Sequence, residues 1–160
     1  FINQSDQKFF NDCVELLITN TKIELPEHFV KKLIIANQKE KVNENDIEKE
    51  FSQSTKGIKY QLIESKLIEE NNIDISSDAV KDYAKEMVKK QMAMYGQNKV
   101  DDEELNSIVH RVTSNQDELK RIYSMLLNEK ILNVFKNKMT KKESKVDYKK
   151  FIETAYDKNV

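Results

Sequence analysis

Two histidines and one cysteine are the side chains in this sequence that most readily bind metals or act as bases and nucleophiles. His28 and His110 lie far apart, and neither stands at metal-ligand spacing from Cys13. Neither histidine belongs to a zinc-type pair of histidine and glutamate on one helix face. We interpret His28 as a solvated residue in the first turn of a helix and His110 as a partly exposed helix residue.

Other catalytic arrangements are also missing from the sequence. Its two glycines are isolated, so a glycine-rich phosphate loop cannot form, and no serine stands in the context of a nucleophile elbow. The many acidic residues fall at expected helix starts and on charged faces, which accounts for them without acid–base chemistry. We therefore expect this chain not to be an enzyme, and to hold no catalytic residue, cofactor or metal.

The charge balance gives no reason to expect a nucleic-acid partner. Lysine and arginine total 27 against 28 acidic residues, for a net charge of -1. Residues 136–150 contain seven lysines, but Tyr148 is the only aromatic residue among them. We interpret that stretch as a solvated loop.

No part of the sequence has the length of apolar residues that a membrane span needs, so no membrane partner is expected. Cys13 is the only cysteine and cannot form an internal disulfide, which fits a reducing compartment. The chain begins at Phe1, without methionine, inside a periodic pattern, and we interpret it as a fragment of a longer protein.

Methionine and tyrosine side chains cluster around a single predicted helix. Met87 and Met92 fall on its expected inner face, whereas Met94 and Tyr95 fall at its end. Methionine is flexible and polarizable, so a surface rich in it can adapt to many apolar partners. The end of this helix is therefore the place where we expect a partner to be reached most easily.

The elements that must position these residues are helices. Only two glycines and one proline occur, and charged residues make up 34% against 38% apolar. This composition favours long helices in an elongated body. Apolar residues recurring every three or four positions predict seven helices, at about 5–20, 26–41, 45–70, 77–95, 101–113, 115–138 and 146–157.

Two junctions between helices repeat at an offset of 50 residues. Ile23-Glu24-Leu25 before Pro26 is echoed by Ile73-Asp74-Ile75 before Ser76. We expect each to be a short extended triplet followed by a helix start, with Pro26 at a first helical position and Ser76 or Ser77 as a cap. Further predicted caps are Ser5, Asn45 with Glu48, Asp101 with Glu104, and Ser114 or Asn115, with Gly96 as a left-handed helix end.

Gly57, in the middle of the third helix, is interpreted as a tolerated exposed glycine.

Each helix also has a predicted inner face. The residues expected to face inward include Phe9, Phe10, Cys13, Leu16, Leu17, Phe29, Val30, Leu33, Ile34, Ile47, Phe51, Ile58, Leu62, Leu67, Val80, Tyr83, Ala84, Met87, Val88, Met92, Leu105, Ile108, Val109, Val112, Leu119, Ile122, Tyr123, Leu126, Leu127, Ile131, Val134, Phe135, Tyr148, Phe151, Ile152 and Ala155.

Five segments in this order match one known family: Thr21–Val30, Tyr60–Leu67 with Asn72–Ile75, Ala93–Gly96, Val134–Met139 and Val146–Tyr148. The chain resembles the C-terminal domain of bacterial trigger factor, a ribosome-associated chaperone. The similarity covers nearly all 160 residues. Its most specific part is the Ile-Glu-Leu-Pro sequence at 23–26, and the order of the elements supplies the rest.

The resemblance implies an all-α fold, with an elongated helical body and two protruding antiparallel helical-hairpin arms. Arm one would span about 26–70 and arm two about 76–113, within a single substrate-binding domain. The body helices would lie at about 5–20, 115–138 and 146–157. The implied function is ATP-independent binding of unfolded or nascent polypeptides in a cradle between arms and body.

In that family, ribosome docking and prolyl isomerisation belong to other domains. The Gly-Phe-Arg docking loop does not occur in this sequence, and glycine and proline are too few for the isomerase sheet. The resemblance therefore implies a cytoplasmic chaperone domain that would meet the ribosome only through a domain absent here.

The candidate client-binding residues are apolar side chains offset from the main stripe of their helices, namely Ile35, Tyr60, Ile68, Met94, Tyr95 and Leu127. Two alternatives stay open. One is a helical scaffold or regulatory module with one protein partner, and the other is the helical chaperone region of a periplasmic folding factor. Self-association through exposed apolar faces, including Phe9 and Phe10, is a further expectation.

Overall fold

The computed structural model describes residues 2–37, 44–97, 101–140 and 143–156, and every regular element in those ranges is a helix. The predicted all-α class is therefore confirmed, while the arrangement of two projecting arms stays a prediction. The helices are α1 (Ile2–Asn20), α2 (Glu27–Asn37), α3 (Glu44–Glu70), α4 (Ser77–Met94), α5 (Asp102–Ser114), α6 (Gln116–Lys138) and α7 (Tyr148–Tyr156).

The second junction begins α4 with two side-chain hydrogen bonds. The backbone N–H of Ser76 donates to Oδ1 of Asp74 at 2.9 Å, and the N–H of Ala79 donates to Oγ of Ser76 at 3.3 Å. Of the two predicted caps, Ser76 is therefore the one that the structure uses. The carboxylate and the hydroxyl satisfy donors that a helix start otherwise leaves to water.

Two later helices also begin with a side-chain cap. Oδ1 of Asn115 accepts from the N–H groups of Asp117 at 3.0 Å and Glu118 at 3.2 Å, so Asn115 rather than Ser114 starts α6. Oδ1 of Asp147 accepts from the N–H of Lys150 at 2.8 Å, which places the start of α7 just after that aspartate.

Three predicted helix starts differ in detail. Ser5 lies inside α1, which begins at Ile2, so it is not a cap. Pro26 stands before α2, and its carbonyl accepts from the N–H groups of Phe29 at 2.9 Å and Val30 at 3.1 Å. Asp101 occupies the cap position of α5 but forms no side-chain cap bond, so the predicted box with Glu104 lacks that bond. A cap hydrogen bond depends on the side-chain rotamer. A suitable residue type therefore predicts where a helix starts better than it predicts whether the cap hydrogen bond forms.

Two other expectations concern the region of α2 and α3. The predicted fraying near Lys41 and the side chain of Asn45 lie outside the described residues. Gly57 is exposed, and a Cβ added there would meet no atom within 4 Å among the described residues. The interpretation of Gly57 as a tolerated exposed glycine is confirmed.

The end of α4 has the left-handed glycine that the sequence predicts. Gly96 has φ +83°, its N–H donates to the carbonyl of Ala93, and the N–H of Gln97 donates to the carbonyl of Met92, both at 3.0 Å. This pair of bonds is a Schellman motif, in which the residue at positive φ turns the chain back on the last helical turn.

The end of α3 forms the same motif with asparagine in place of glycine. Asn72 has φ +49° and its N–H donates to the carbonyl of Glu69 at 3.3 Å, while the N–H of Ile73 donates to the carbonyl of Ile68 at 3.0 Å. Asparagine tolerates this region better than other side chains. The motif goes beyond the prediction, which gives this junction only as an extended triplet.

The chain divides into two compact units, Phe1–Leu67 with Met139–Val160 and Ile68–Lys138. In the first unit the buried apolar side chains of the described residues come from α1, α2 and α3. Lys31 of α2 also pairs with Glu27 at 2.9 Å and with Glu48 of α3, and its ammonium group lies 5.0 Å from the ring centroid of Phe51. The buried residues are Cys13, Val30, Ile34 and Ile63.

The second unit is built on three helices, since α4, α5 and α6 pack against one another in pairs. The expectation from the sequence pairs α4 with α5 as a helical hairpin. Two amphipathic helices leave one side of their seam open, and the amino-terminal half of α6 covers it. The resulting core consists of Val80, Ala84, Leu105, Val109, Ile122 and Leu126.

Several residues predicted to face inward are exposed instead. Phe29 is 61% exposed while its neighbour Val30 is 5% exposed, and Leu62 is 48% exposed while Ile63 is 7% exposed. Adjacent helical residues point about 100° apart, so two neighbouring apolar residues need not both face the core. Periodicity does not show which of the two is buried. The same correction applies to Leu16, Leu119, Tyr123 and Tyr148.

Candidate functional site

The side chains that most readily bind metals or act as nucleophiles lie on different helices of the described residues. No group of three or more His, Cys, Asp or Glu side chains in that part of the chain could hold a metal ion. Nδ1 of His110 lies 3.5 Å from Oγ of Ser114, but that hydroxyl donates to the carbonyl of His110 at 2.7 Å. His28 is exposed, as the sequence predicts, and the Cys13 thiol is buried, which raises its pKa.

Across the same ranges, no helix combines the length and the apolar composition needed to cross a membrane.

A shallow groove in the second unit is the first candidate binding surface. It has a volume of about 260 Å³ and lies where the second junction meets α4, the end of α5 and the start of α6. Its walls are mostly apolar, and Leu119 and Tyr123 of α6 are 39% and 36% exposed. We call this the α4–α6 groove, and it is lined by Ile75, Ser77, Val80, Lys81, Thr113, Leu119 and Tyr123.

Helix caps position the groove on two sides. The bond from Ser76 N–H to Asp74 fixes the junction next to Ile75. The Ser76 backbone N–H and hydroxyl hold the pKa of the Asp74 carboxyl below its ordinary value, and the positive charge of Lys130 lowers it further. On the other side, the Asn115 cap starts α6 one turn before Leu119.

Two polar side chains that line the groove already have partners within the protein. The hydroxyl of Thr113 donates to the carbonyl of Val109 at 2.9 Å, so it is already satisfied within α5. Nζ of Lys81 lies 3.7 Å from Asp78, and both side chains are exposed. Exposed pairs of this kind contribute little energy. The groove therefore offers an apolar floor and one accessible cation.

The second candidate surface is the end of α4. Met94 is 86% exposed and Tyr95 is 80% exposed, the highest values among the large apolar side chains of the described residues. Both stand directly before Gly96, where the Schellman motif ends the helix. We call this pair the α4 tip. The sequence predicts the exposed position of both residues.

The four other candidate residues lie elsewhere. Ile35 of α2 is 55% exposed, Ile68 of α3 is half-buried, and Leu127 of α6 is only 6% exposed. Leu127 is thus not offset from the buried face of its helix, contrary to the expectation that selected it. Only Met94 and Tyr95 are brought together by the structure as one surface.

Tyr60, the sixth candidate, is half-buried in the first unit. Its phenol oxygen is buried. Burial raises the pKa of the Tyr60 hydroxyl strongly, and the nearby carboxylate of Glu64 raises it further. The ring is therefore less available than the α4 tip.

The α4–α6 groove is not among the sites that the sequence predicts. The pattern assigns Leu119 and Tyr123 to the inner face of α6 and Ile75 to a junction. The signal that could have found it is the i, i+4 spacing of Leu119 and Tyr123 just after a predicted cap, outside the Ile122–Leu126 stripe.

Phe9 and Phe10, the rings expected to support self-association, are half-buried in the structure. Less of their surface is open to a second copy than the sequence indicates, and self-association stays a prediction.

The chain matches a known protein family. The family model described as "Probable trigger factor, C-terminal domain" matches residues 5–154. No match to the chain was found among curated proteins or among solved structures.

Proposed function

The chain belongs to the trigger factor C-terminal domain family, and from that membership we propose that it binds unfolded or nascent polypeptides without ATP, in a cradle between helical arms and body. The family implies a chaperone-type function and a domain that is not catalytic. The finer statement, that clients are held in a cradle, is our proposal.

The observation that carries the proposal is the exposure of the α4 tip. A large apolar side chain contributes roughly 1.5–3 kcal/mol when it is fully buried, and Met94 and Tyr95 forgo most of this in the free chain. Both side chains lie at a helix end that backbone hydrogen bonds hold in place, so the fold itself keeps them exposed. An unfolded polypeptide with apolar side chains can cover them.

Weak binding at several places suits such a partner. The α4 tip and the α4–α6 groove are small surfaces, and each alone supports only modest affinity. Several contacts on one flexible polypeptide raise the overall affinity through effective concentration. The many charged residues of the chain keep these apolar surfaces soluble.

We further propose a cytoplasmic setting, on the basis of the family and of a single cysteine that cannot form an internal disulfide. Prolyl isomerisation and ribosome docking are not proposed for this chain, because the resemblance assigns them to other domains.

The test is suppression of aggregation. Two unrelated proteins are denatured and diluted into buffer with or without the 160-residue chain, and light scattering is followed. The chain should delay scattering of both proteins, and a Met94→Ser, Tyr95→Ser variant should do so less. Ile2→Gln is a matched control, because Ile2 is 79% exposed and belongs to neither candidate surface.

Binding to a single protein, with no effect on either aggregating client, would contradict the proposal and support a scaffold or regulatory module. Prolyl isomerisation by the chain alone would contradict the assignment as a non-enzyme.

A further inference from the structure

The five methionines of the chain differ widely in how far solvent reaches them. Met94 is 86% exposed, whereas Met125 is 38% exposed. Met87, Met92 and Met139 are half-buried. A thioether reacts with an oxidant only when the oxidant can reach its sulfur, so the exposure of the five side chains places Met94 first in reactivity.

The sulfur of Met125, the second most exposed of the five, is already in contact with a cation. Nη1 of Arg121 donates to this sulfur at 3.3 Å. The contact engages the sulfur lone pairs with which a thioether attacks an oxidant, and the guanidinium charge lowers their electron density. Both its exposure and this contact therefore make Met125 less reactive than Met94.

Oxidation of Met94 would leave the fold intact, whereas oxidation of Met87 would disturb it. Met87 packs against the core of the second unit, and a sulfoxide there would place a polar group among apolar side chains. The end of α4 is held by backbone hydrogen bonds, such as the one from the N–H of Gln97 to the carbonyl of Met92. That bond involves no atom of the Met94 side chain.

A sulfoxide would change the chemistry of the α4 tip. It converts the flexible apolar side chain of methionine into a polar, chiral one. Burying such a group against apolar side chains costs free energy unless the group finds a hydrogen-bond partner there. After oxidation, Tyr95 alone would supply the large apolar surface that the tip now divides between two residues.

The Cys13 thiol is shielded from the same oxidants. Cys13 is only 6% exposed. Burial raises the pKa of its thiol, and the nearby Asp12 carboxylate raises it further. The thiolate is the form that attacks a peroxide, so little of the reactive form exists near neutral pH. The methionine thioether has no proton to lose, and its reactivity follows exposure instead.

We propose that Met94 is an oxidation site, and that its conversion to the sulfoxide by a peroxide weakens client binding at the α4 tip. The inference rests on the proposed function and adds a chemical control to it. A lone pair of the Met94 sulfur attacks one peroxide oxygen, so that an S–O bond forms and the O–O bond breaks. Sulfur is oxidised and the peroxide is reduced. The second oxygen takes the proton of the first and leaves as water.

The order of oxidation is tested first, on the 160-residue chain treated briefly with hydrogen peroxide. Tandem mass spectrometry of tryptic peptides follows the gain of one oxygen atom at each methionine, and fragment ions separate Met92 from Met94 within peptide 91–99. Met94 should be oxidised at least about threefold faster than Met125, and Cys13 should stay unmodified. Equal rates at Met94 and Met125, or a faster rate at Met125, would overturn the inference.

The effect on client binding is tested next, with the oxidised chain freed of peroxide by desalting. It should delay the aggregation of the two denatured proteins less than the untreated chain does. The loss should be at least about half of that caused by Met94→Ser, Tyr95→Ser, because one of the two apolar side chains of the tip has become polar. Treatment with a methionine sulfoxide reductase should restore the suppression.

Two leucine variants assign the effect to one residue. Met94→Leu keeps an apolar side chain of similar volume without a sulfur atom, so peroxide should not change its suppression of aggregation. Met125→Leu is the matched control, because it removes the sulfur of the second most exposed methionine. It should lose suppression on oxidation as the unchanged chain does. Circular dichroism checks that each oxidised chain keeps its helix content.

Equal suppression by the untreated chain and by a chain shown to carry the Met94 sulfoxide would overturn this inference and leave the proposed function standing. The same conclusion would follow if peroxide impaired Met94→Leu as strongly as the unchanged chain, because the sensitive residue would then lie elsewhere. If the untreated chain suppresses no aggregation, the proposed function fails and this inference fails with it.

Discussion

The backbone N–H of Gln97 donates a hydrogen bond to the carbonyl of Met92 at 3.0 Å. This bond ends α4, and Met94 and Tyr95 lie between the two bonded residues in the sequence. With the bond from Gly96 to Ala93, it satisfies carbonyl groups that a helix end would otherwise leave open. The two most exposed large apolar side chains of the described residues therefore stand on a hydrogen-bonded helix end.

Replacing Gly96 by alanine should destabilise the chain through backbone strain alone. Gly96 has φ +83°, and an added Cβ would meet no atom within 4 Å among the described residues. Holding an L-residue in the left-handed region costs roughly 1–2 kcal/mol. Urea denaturation followed by circular dichroism should show a lower midpoint for Gly96→Ala.

Gly57→Ala is the matched control for that change, because it adds the same methyl group inside α3, also with no atom within 4 Å. It should raise stability by roughly 0.5–1 kcal/mol through helix propensity. Equal effects of the two substitutions would contradict the role given to the positive φ of Gly96.

Asn72 should be sensitive to side-chain branching. Its φ of +49° is accessible to asparagine and glycine but is poorly tolerated by β-branched residues. Asn72→Val should lower the free energy of unfolding by roughly 1–2 kcal/mol, while Asn72→Gly should cost little. If valine were accommodated as well as glycine, the motif that ends α3 would not depend on the left-handed residue.

Ser76 and Ser77 are adjacent serines with different expected roles. Ser76 caps α4 through its hydroxyl, so Ser76→Ala should cost roughly 1 kcal/mol. Ser77 is the first residue of α4, where Ser77→Ala should be nearly neutral. Thermal unfolding of the two variants compares them directly, and the reverse order of stabilities would show that the cap is misassigned.

The Asp74 carboxylate should make stability depend on acid pH. Ser76 holds the pKa of Asp74 in the folded chain below its ordinary value of 3.8. The unfolded chain therefore binds a proton on Asp74 at a higher pH than the folded chain does. This stabilisation is present above the ordinary pKa and is lost as the pH falls through the folded pKa.

Denaturation midpoints measured between about pH 6 and pH 2 should fall less for Asp74→Asn than for the unchanged chain, because the amide cannot titrate. The amide oxygen can still accept the Ser76 N–H bond, so the fold should be kept. Parallel pH profiles would contradict the contribution of Asp74.

The sequence predicts the helices and their signals better than it predicts their packing. The caps at Ser76 and Asn115 and the left-handed Gly96 follow from local chemistry, which needs no knowledge of the rest of the fold. The burial of Val30 rather than Phe29 depends on which neighbours a helix meets, and periodicity alone does not contain that information.

The candidate site divides in the same way. Met94 and Tyr95 could be predicted as exposed because they fall between the inner stripe of α4 and its terminal glycine. The α4–α6 groove could not, because it forms where Ile75 meets residues of α6 more than 40 positions later in the sequence. Leu127, chosen as offset from the main stripe of α6, is buried for the same reason, since its burial depends on tertiary packing.

The most direct test of client binding at the α4 tip is methyl NMR of the five methionines in the presence of an unfolded client. We predict that the Met94 methyl signal shifts or broadens first. The Met125 signal should change least, because its sulfur accepts a contact from Nη1 of Arg121 at 3.3 Å and it lies at neither the α4 tip nor the α4–α6 groove. A Met94 signal that stays unchanged while the client is demonstrably bound would contradict the account.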